Sequence, residues 1–153
     1  VLTPKGLNRK CVGRSAKALL KMVGVDVPDN IRCITFEGEK EHPLIATELM
    51  MPILGVVRAK DFKDAVEKAV WLEHGNRHSA HIHSKNVDHI TEYAKAIDTA
   101  ILVKNGPSYA ALGFGGEGYC TFTIASRTGE GLTAAHTFTK SRRCVMVESL
   151  CIR

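Results

Sequence analysis

Between Ile53 and Val103 the hydrophobic pattern switches repeatedly between strand and helix periods, and that alternation limits the folds open to the chain. Residues 53–58 are a continuous apolar run closed by a charge, the pattern of a strand covered on both faces. Residues 61–73 then place Phe62, Ala65, Val66, Ala69 and Val70 on one helical face, with Asp61 as N-cap and Gly75 past the end. Residues 79–83 read as a second strand. Residues 86–98 read as a second helix with Val87, Ile90, Ala94 and Ile97 on one side, and residues 100–103 as a third strand. Strands and helices alternating over short connections specify an α/β fold, with a parallel sheet, flanking helices and right-handed crossovers.

The flanks are less regular. Ser15 can cap a short helix over 15–23 ended by Gly24, and residues 31–37 read as a strand. Downstream, residues 119–125 and 143–147 look like strands with no helix between them, joined through a glycine-containing stretch at 128–131. Strands left without a cover seek a partner, so this tail is expected to pair with another subunit. The chain's 153 residues suit one domain or a large piece of one. With 44% hydrophobic and 24% charged residues, the chain is neither disordered nor fibrous. No apolar run approaches the roughly 18 residues that span a bilayer, so no membrane is expected as partner. Five cysteines without a C-x-x-C spacing suggest a reducing cytosol rather than a disulfide framework.

Several patterns invite a chemical reading. Gly113, Gly115 and Gly118 spell G-x-G-x-x-G, but a dinucleotide site needs a helix to follow. Here residues 119–124 alternate like a strand, so a loop lining a substrate channel is the better reading. His74, His78, His81 and His83 lie close in sequence without a recognised ligand spacing, and no metal site is assigned to them. Cys11 sits among Arg9, Lys10 and Arg14, which favour a thiolate, but nothing nearby supplies a base or an oxyanion pocket. Glu48, at the entry to a strand, offers an acceptor-only carboxylate suited to a ribose diol, although most loop glutamates are simply solvated. The net charge of +5 comes largely from the basic opening of Lys5 to Lys21 and from Lys140, Arg142 and Arg143. A solvated face accounts for it. No aromatic residue interleaves with the basic opening, so nucleic acid is not an expected partner.

The order of segments resembles the C-terminal part of a CoA-acylating aldehyde dehydrogenase of the propanediol and ethanolamine utilisation type. The resemblance is carried by His42-Pro43 through Glu48-Leu49-Met50-Met51-Pro52, by Glu73-His74-Gly75-Asn76-Arg77-His78, and by Val103-Lys104-Asn105-Gly106-Pro107-Ser108-Tyr109-Ala110. Gly115-Gly116-Glu117-Gly118, Phe122-Thr123-Ile124-Ala125, Thr128-Gly129-Glu130-Gly131-Leu132-Thr133 and Arg142-Arg143-Cys144 continue it in one register over nearly the whole chain.

That resemblance implies residues 1–118 as the C-terminal part of the catalytic α/β domain and 119–153 as oligomerisation strands, with the N-terminal cofactor domain absent. It implies an enzyme joining an aldehyde to CoA through a cysteine thioester, with NAD or NADP as cofactor and CoA as cosubstrate. None of the five cysteines matches the family's nucleophile, so no catalytic residue is assigned within the chain, which is expected to be a fragment inactive alone. Glu48 matches the glutamate that holds the nicotinamide ribose. Met50 stands where an aromatic residue commonly flanks the nicotinamide ring. Asn105, Tyr109, Leu112 and Phe114 fall on the loop expected to wall the aldehyde and acyl channel. The resemblance further implies a homo-oligomer, located in the cytoplasm or inside a bacterial microcompartment. The competing readings are a phosphate-binding or nucleic-acid-binding module and a domain that serves assembly alone.

Overall fold

The computed structural model describes residues 1–4, 6–116, 121–122, 132–145 and 147. The chain divides into two compact units, Val1–Gly75 and Asn76–Arg153.

The first unit opens with an antiparallel pair, β1 (Leu2–Thr3) and β2 (Gly6–Leu7), in which Leu2 faces Leu7. Helix α1 (Ala16–Lys21) follows. It starts where sequence predicts, since the Ser15 hydroxyl accepts from the Ala18 N–H at 3.3 Å, and it ends two residues earlier than expected. Gly24, at φ +80°, takes the chain out of the helix. Ala16, Leu19 and Cys11 are buried.

Strand β3 (Ile34–Glu37) pairs in parallel with β4 (Ile53–Val56), Ile34 beside Ile53 and Glu37 beside Val56. A parallel pair needs a long crossover, and this one carries helix α2 (Pro43–Ala46). Pro43 at the first helical position and the His42 ring, whose Nδ1 accepts from the Leu44 N–H at 3.2 Å, start that short helix. The expectation that β4 is covered on both faces is corrected. Ile53 and Gly55 lie under cover, but Leu54 and Val56 are 57% and 45% exposed. Two strands with one short helix against them can shield one face only. Helix α3 (Phe62–Glu73) begins as predicted, Asp61 Oδ1 accepting from the Asp64 N–H at 2.8 Å. Its exit differs: His74, not glycine, takes the left-handed capping position at φ +58°, and Gly75 follows at φ +76°.

The second unit holds β5 (Ser79–Ile82) and β6 (Ile101–Lys104) in parallel, with α4 (Val87–Ile97) in the crossover between them. Asn86 Oδ1 accepts from the Asp88 and His89 N–H groups and starts α4. The Arg77 guanidinium donates to Ile97 O at 2.6 Å and fixes the other end. Ile101, Val103 and Ala111 make a buried cluster with Ala110 packed against it, and Ala80, Tyr93 and Ile97 are buried in the same unit. Downstream, β7 (Thr121–Phe122) pairs antiparallel with β8 (Leu132–Thr133). The predicted late strand at 143–147 is not found: residues 143–145 and 147 form no strand among the described residues. A strand forms only against a partner, and the partner expected for this tail belongs to another subunit. The rest of the predicted strand at 119–125 lies outside the described residues. No helix among them is long and apolar enough to cross a membrane.

Candidate functional site

In the first unit the residues of interest lie on the turn between α2 and β4. Its backbone is held at several points. Leu49 is buried at 7% exposure. The Gly13 N–H donates to Met50 O at 3.1 Å, and the Ile34 N–H to Pro52 O at 2.9 Å. His74 Nε2 lies 2.9 Å from Ala46 O, the carbonyl at the end of α2. Met50 adopts φ +51°, a left-handed conformation that methionine takes only under tertiary constraint, at a cost of roughly 1–2 kcal/mol. Glu48 is exposed on this fixed turn, and among the described residues its carboxylate has no hydrogen bond or ion pair. An acceptor-only group on an anchored backbone is what a diol ligand requires, so the turn fits a ribose. The Met50 side chain, 70% exposed, projects from the same turn.

In the second unit the loop after β6 is tied down in its own way. Asn105 also has a positive φ, +54°. Its N–H donates to Ile82 O at 2.8 Å, its Oδ1 accepts from the Ser84 N–H at 2.7 Å, and its Nδ2 donates to Ser84 O at 2.8 Å. The amide therefore extends the β5–β6 ladder beyond the strand ends. Asn105 seats the loop, and its polar atoms are already engaged. A 3-10 turn, Ser108–Leu112, follows, with Gly113 at φ +83° closing it. Ser108 Oγ and His81 Nε2 lie 2.9 Å apart, tying the start of the turn to β5. Ala111 points into the core while Tyr109 and Phe114 are 66% and 79% exposed, and Leu112 is half-buried. Gly116 returns so close that a Cβ there would sit 2.9 Å from the Ala110 Cβ and 3.1 Å from Ala110 O. A cleft of about 380 Å³ runs beside β6, lined by Ile101, Val103, Lys104, Ala110, Ala111 and Gly116 among others. Tyr109, Leu112 and Phe114 do not line it.

The remaining sequence candidates separate. Cys11 is 1% exposed, which withdraws it from solution as a nucleophile. The imidazoles go to different partners: His74 to Ala46, His78 to Ser79 and His81 to Ser108, with His83 exposed. Of the G-x-G-x-x-G set, Gly113 and Gly115 take positive φ on the loop, Gly118 lies outside the described residues, and the next described element is strand β7. Sequence reasoning missed the supporting residues His74, His81, Ser84 and Ser108. Their partners lie 21 to 28 residues away, or 27 for the Ser108–His81 pair, and no local pattern reports such contacts.

No family model matches the chain. Over 143 residues, 94% of its length, it is 48% identical to the acetaldehyde dehydrogenase (acetylating) EutE of Salmonella typhimurium, and it covers 31% of that enzyme. A propionaldehyde dehydrogenase from the Clostridium phytofermentans fucose utilisation bacterial microcompartment superposes with a TM-score of 0.89 at 83% identity, over 100% of this chain and 35% of that one. The Rhodopseudomonas palustris propionaldehyde dehydrogenase, solved with bound CoA and an acylated cysteine, gives a TM-score of 0.88 at 54% identity, over 95% of this chain and 34% of that one. The chain thus spans about a third of the length of the relatives it matches.

Proposed function

The chain belongs to the CoA-acylating aldehyde dehydrogenases, and from that premise we propose that it supplies part of the catalytic domain of such an enzyme, with a ligand-binding loop in each of its two units. The whole enzyme converts an aldehyde of the acetaldehyde or propionaldehyde class, CoA and NAD(P)+ into acyl-CoA, NAD(P)H and a proton. The observation that carries this reading is the likeness, over the full length of the chain, to a propionaldehyde dehydrogenase of known structure.

On this reading the reactive cysteine belongs to polypeptide outside these 153 residues. Its thiolate adds to the aldehyde carbonyl, loss of hydride leaves a thioester, and the CoA thiol displaces the cysteine to release acyl-CoA. The dinucleotide, when bound, is the hydride acceptor. The chain's own residues bind and exclude. Glu48 would hold the nicotinamide ribose by accepting hydrogen bonds from its hydroxyls, and so orient the cofactor. Met50, on the same turn, would offer its polarisable thioether to the nicotinamide ring. Tyr109, Leu112 and Phe114 present apolar surface to the alkyl group and keep water from the thioester, while Asn105 holds their loop. Residues 1–118 belong to the catalytic domain, and 119–153 assemble subunits of a homo-oligomer in the cytoplasm or within a microcompartment.

The test is a spectrophotometric assay of NAD(P)H formation from propionaldehyde and CoA. The whole enzyme carrying these residues should turn over, and the isolated 153-residue chain should not. Aldehyde oxidation by the chain alone would overturn the proposal, as would a whole enzyme that forms no acyl-CoA.

A further inference from the structure

We propose that His74 is the positioning residue for Glu48, through its hydrogen bond to the carbonyl of Ala46. The inference rests on the reading of Glu48 given above and adds a residue to it. Ala46 is the last residue of α2, so its carbonyl lacks an acceptor role within the helix and needs a donor from elsewhere. His74 Nε2 supplies it at 2.9 Å, and because a carbonyl oxygen only accepts, Nε2 carries the hydrogen.

The ring is itself constrained. It lies 5.5 Å, centroid to centroid, from the Trp71 indole, and Lys40 Nζ sits 4.1 Å above that indole. The left-handed backbone of His74, at φ +58°, turns its side chain away from the path of α3 and toward α2. Helix α3 is the longest helix of the first unit, and α2 has four residues and cannot orient itself. The bond therefore transmits the position of a stable helix to the end of a marginal one. Glu48 follows two residues later, with buried Leu49 and the Gly13-to-Met50 bond holding the far side of the turn. Without His74 the near side of the turn keeps only the packing of Ile45 over Gly55, and the carboxylate gains freedom to move relative to the ribose.

The experiment compares His74→Ala, His74→Gln, His74→Asn, Glu48→Gln and the Glu48→Gln/His74→Ala double variant in the whole enzyme. The readouts are KM and dissociation constant for the nicotinamide dinucleotide, set beside KM for CoA and kcat. His74→Ala should raise dinucleotide KM about fivefold, the scale of one net hydrogen bond, with KM for CoA unchanged. Gln, which keeps a donor with comparable reach, should restore most of the affinity. Asn tolerates the left-handed backbone but falls short of Ala46, so it should reproduce the Ala effect even if the Ala variant folds poorly. The double variant should be no worse than Glu48→Gln alone, because both act on one contact. If Glu48→Gln weakens dinucleotide binding while His74→Ala and His74→Asn do not, the positioning role is overturned and the Glu48 reading stands. If neither residue matters, the Glu48 reading falls and this inference falls with it. A His74 loss that lowers kcat and raises every KM together, unrescued by Gln, would mark a merely structural residue and also overturn the role.

Discussion

Gly55→Ala tests the packing that seats the Glu48 turn on its sheet. Gly55 lies in β4 directly under α2. A Cβ built there would lie 2.3 Å from Ile45 Cγ1, 3.0 Å from its Cδ1 and 3.4 Å from its Cβ. Carbon atoms pack comfortably at about 3.5–4.0 Å, so the nearest contact is short by more than about 1 Å. The residue in the way is β-branched and stiff at χ1, so it cannot swing aside without leaving its rotamer. Gly55 has no positive φ to penalise alanine, so the backbone contributes no strain of its own. The whole cost then falls on displacing α2, and overpacking of this kind costs roughly 1–3 kcal/mol. The assay is urea denaturation followed through Trp71, the chain's single tryptophan, which lies in the same unit. Ile45→Ala in the Gly55→Ala background removes the obstructing atoms and should recover part of the loss. The same substitution in the whole enzyme should raise dinucleotide KM, because α2 carries the Ala46 carbonyl. A Gly55→Ala loss below about 0.5 kcal/mol, or a double variant less stable than the sum of its singles, would refute this account of the packing.

Asn105→Ala should destabilise by about 1–3 kcal/mol, losing both Ser84 bonds and placing alanine at φ +54°, whereas Asn105→Gly should cost less because glycine accepts that backbone. Equal losses in thermal denaturation would remove backbone strain from the explanation. Asp61→Ala, which deletes the N-cap of α3, should cost about 1 kcal/mol, and Asp61→Ser should recover most of it. The pH dependence has a defined sign at Asp64, whose carboxyl is held below its ordinary value by the Lys68 ammonium at 2.9 Å and then by the Lys60 N–H. Its stabilising effect is therefore complete above the unfolded carboxyl value and fades as pH falls through the lower folded one. Asp64→Asn should flatten the decline in melting temperature between neutral and acidic pH; an unchanged slope would show that the pair contributes nothing to acid sensitivity.

The helices were legible in sequence because their starts depend on local chemistry. Ser15 and Asp61 each make the side-chain-to-backbone bond their position predicts, and Asn86, where the second helix is expected to begin, makes one too. Strand burial was not legible. An apolar run such as residues 53–58 records what a residue prefers, while exposure of Leu54 and Val56 depends on what covers the second face. The late strand at 143–147 is a related case: a strand exists only where a partner pairs with it, and this tail is expected to find its partner in another subunit. At the candidate site, sequence reached the loops but not their geometry. Nothing local announces left-handed backbone at Met50 or His74, residue types that seldom adopt it. Asn105 was placed on the channel wall by resemblance, yet its amide is committed to Ser84, 21 residues away.

The two loops share a physical logic that bears on function. In each, a residue held at positive φ, Met50 or Asn105, lies beside a backbone fastened by groups from distant parts of its own unit. In each, the side chains assigned to ligands are those left over: the Glu48 carboxylate, without a partner among the described residues, and the Tyr109 and Phe114 rings in the open. A loop that served stability alone would gain by turning those rings inward and pairing that carboxylate. Rigid backbone with uncommitted side chains costs stability and returns preorganisation, since a ligand then meets groups whose positions are already fixed. On the proposed reading each loop binds a ligand rather than merely filling space, which predicts how substitutions act. Substitutions that loosen the fastenings, at His74, Gly55 or Asn105, should weaken ligand binding and lower folding stability together, whereas substitutions at Glu48 or Phe114 should weaken binding and leave stability unchanged or improved.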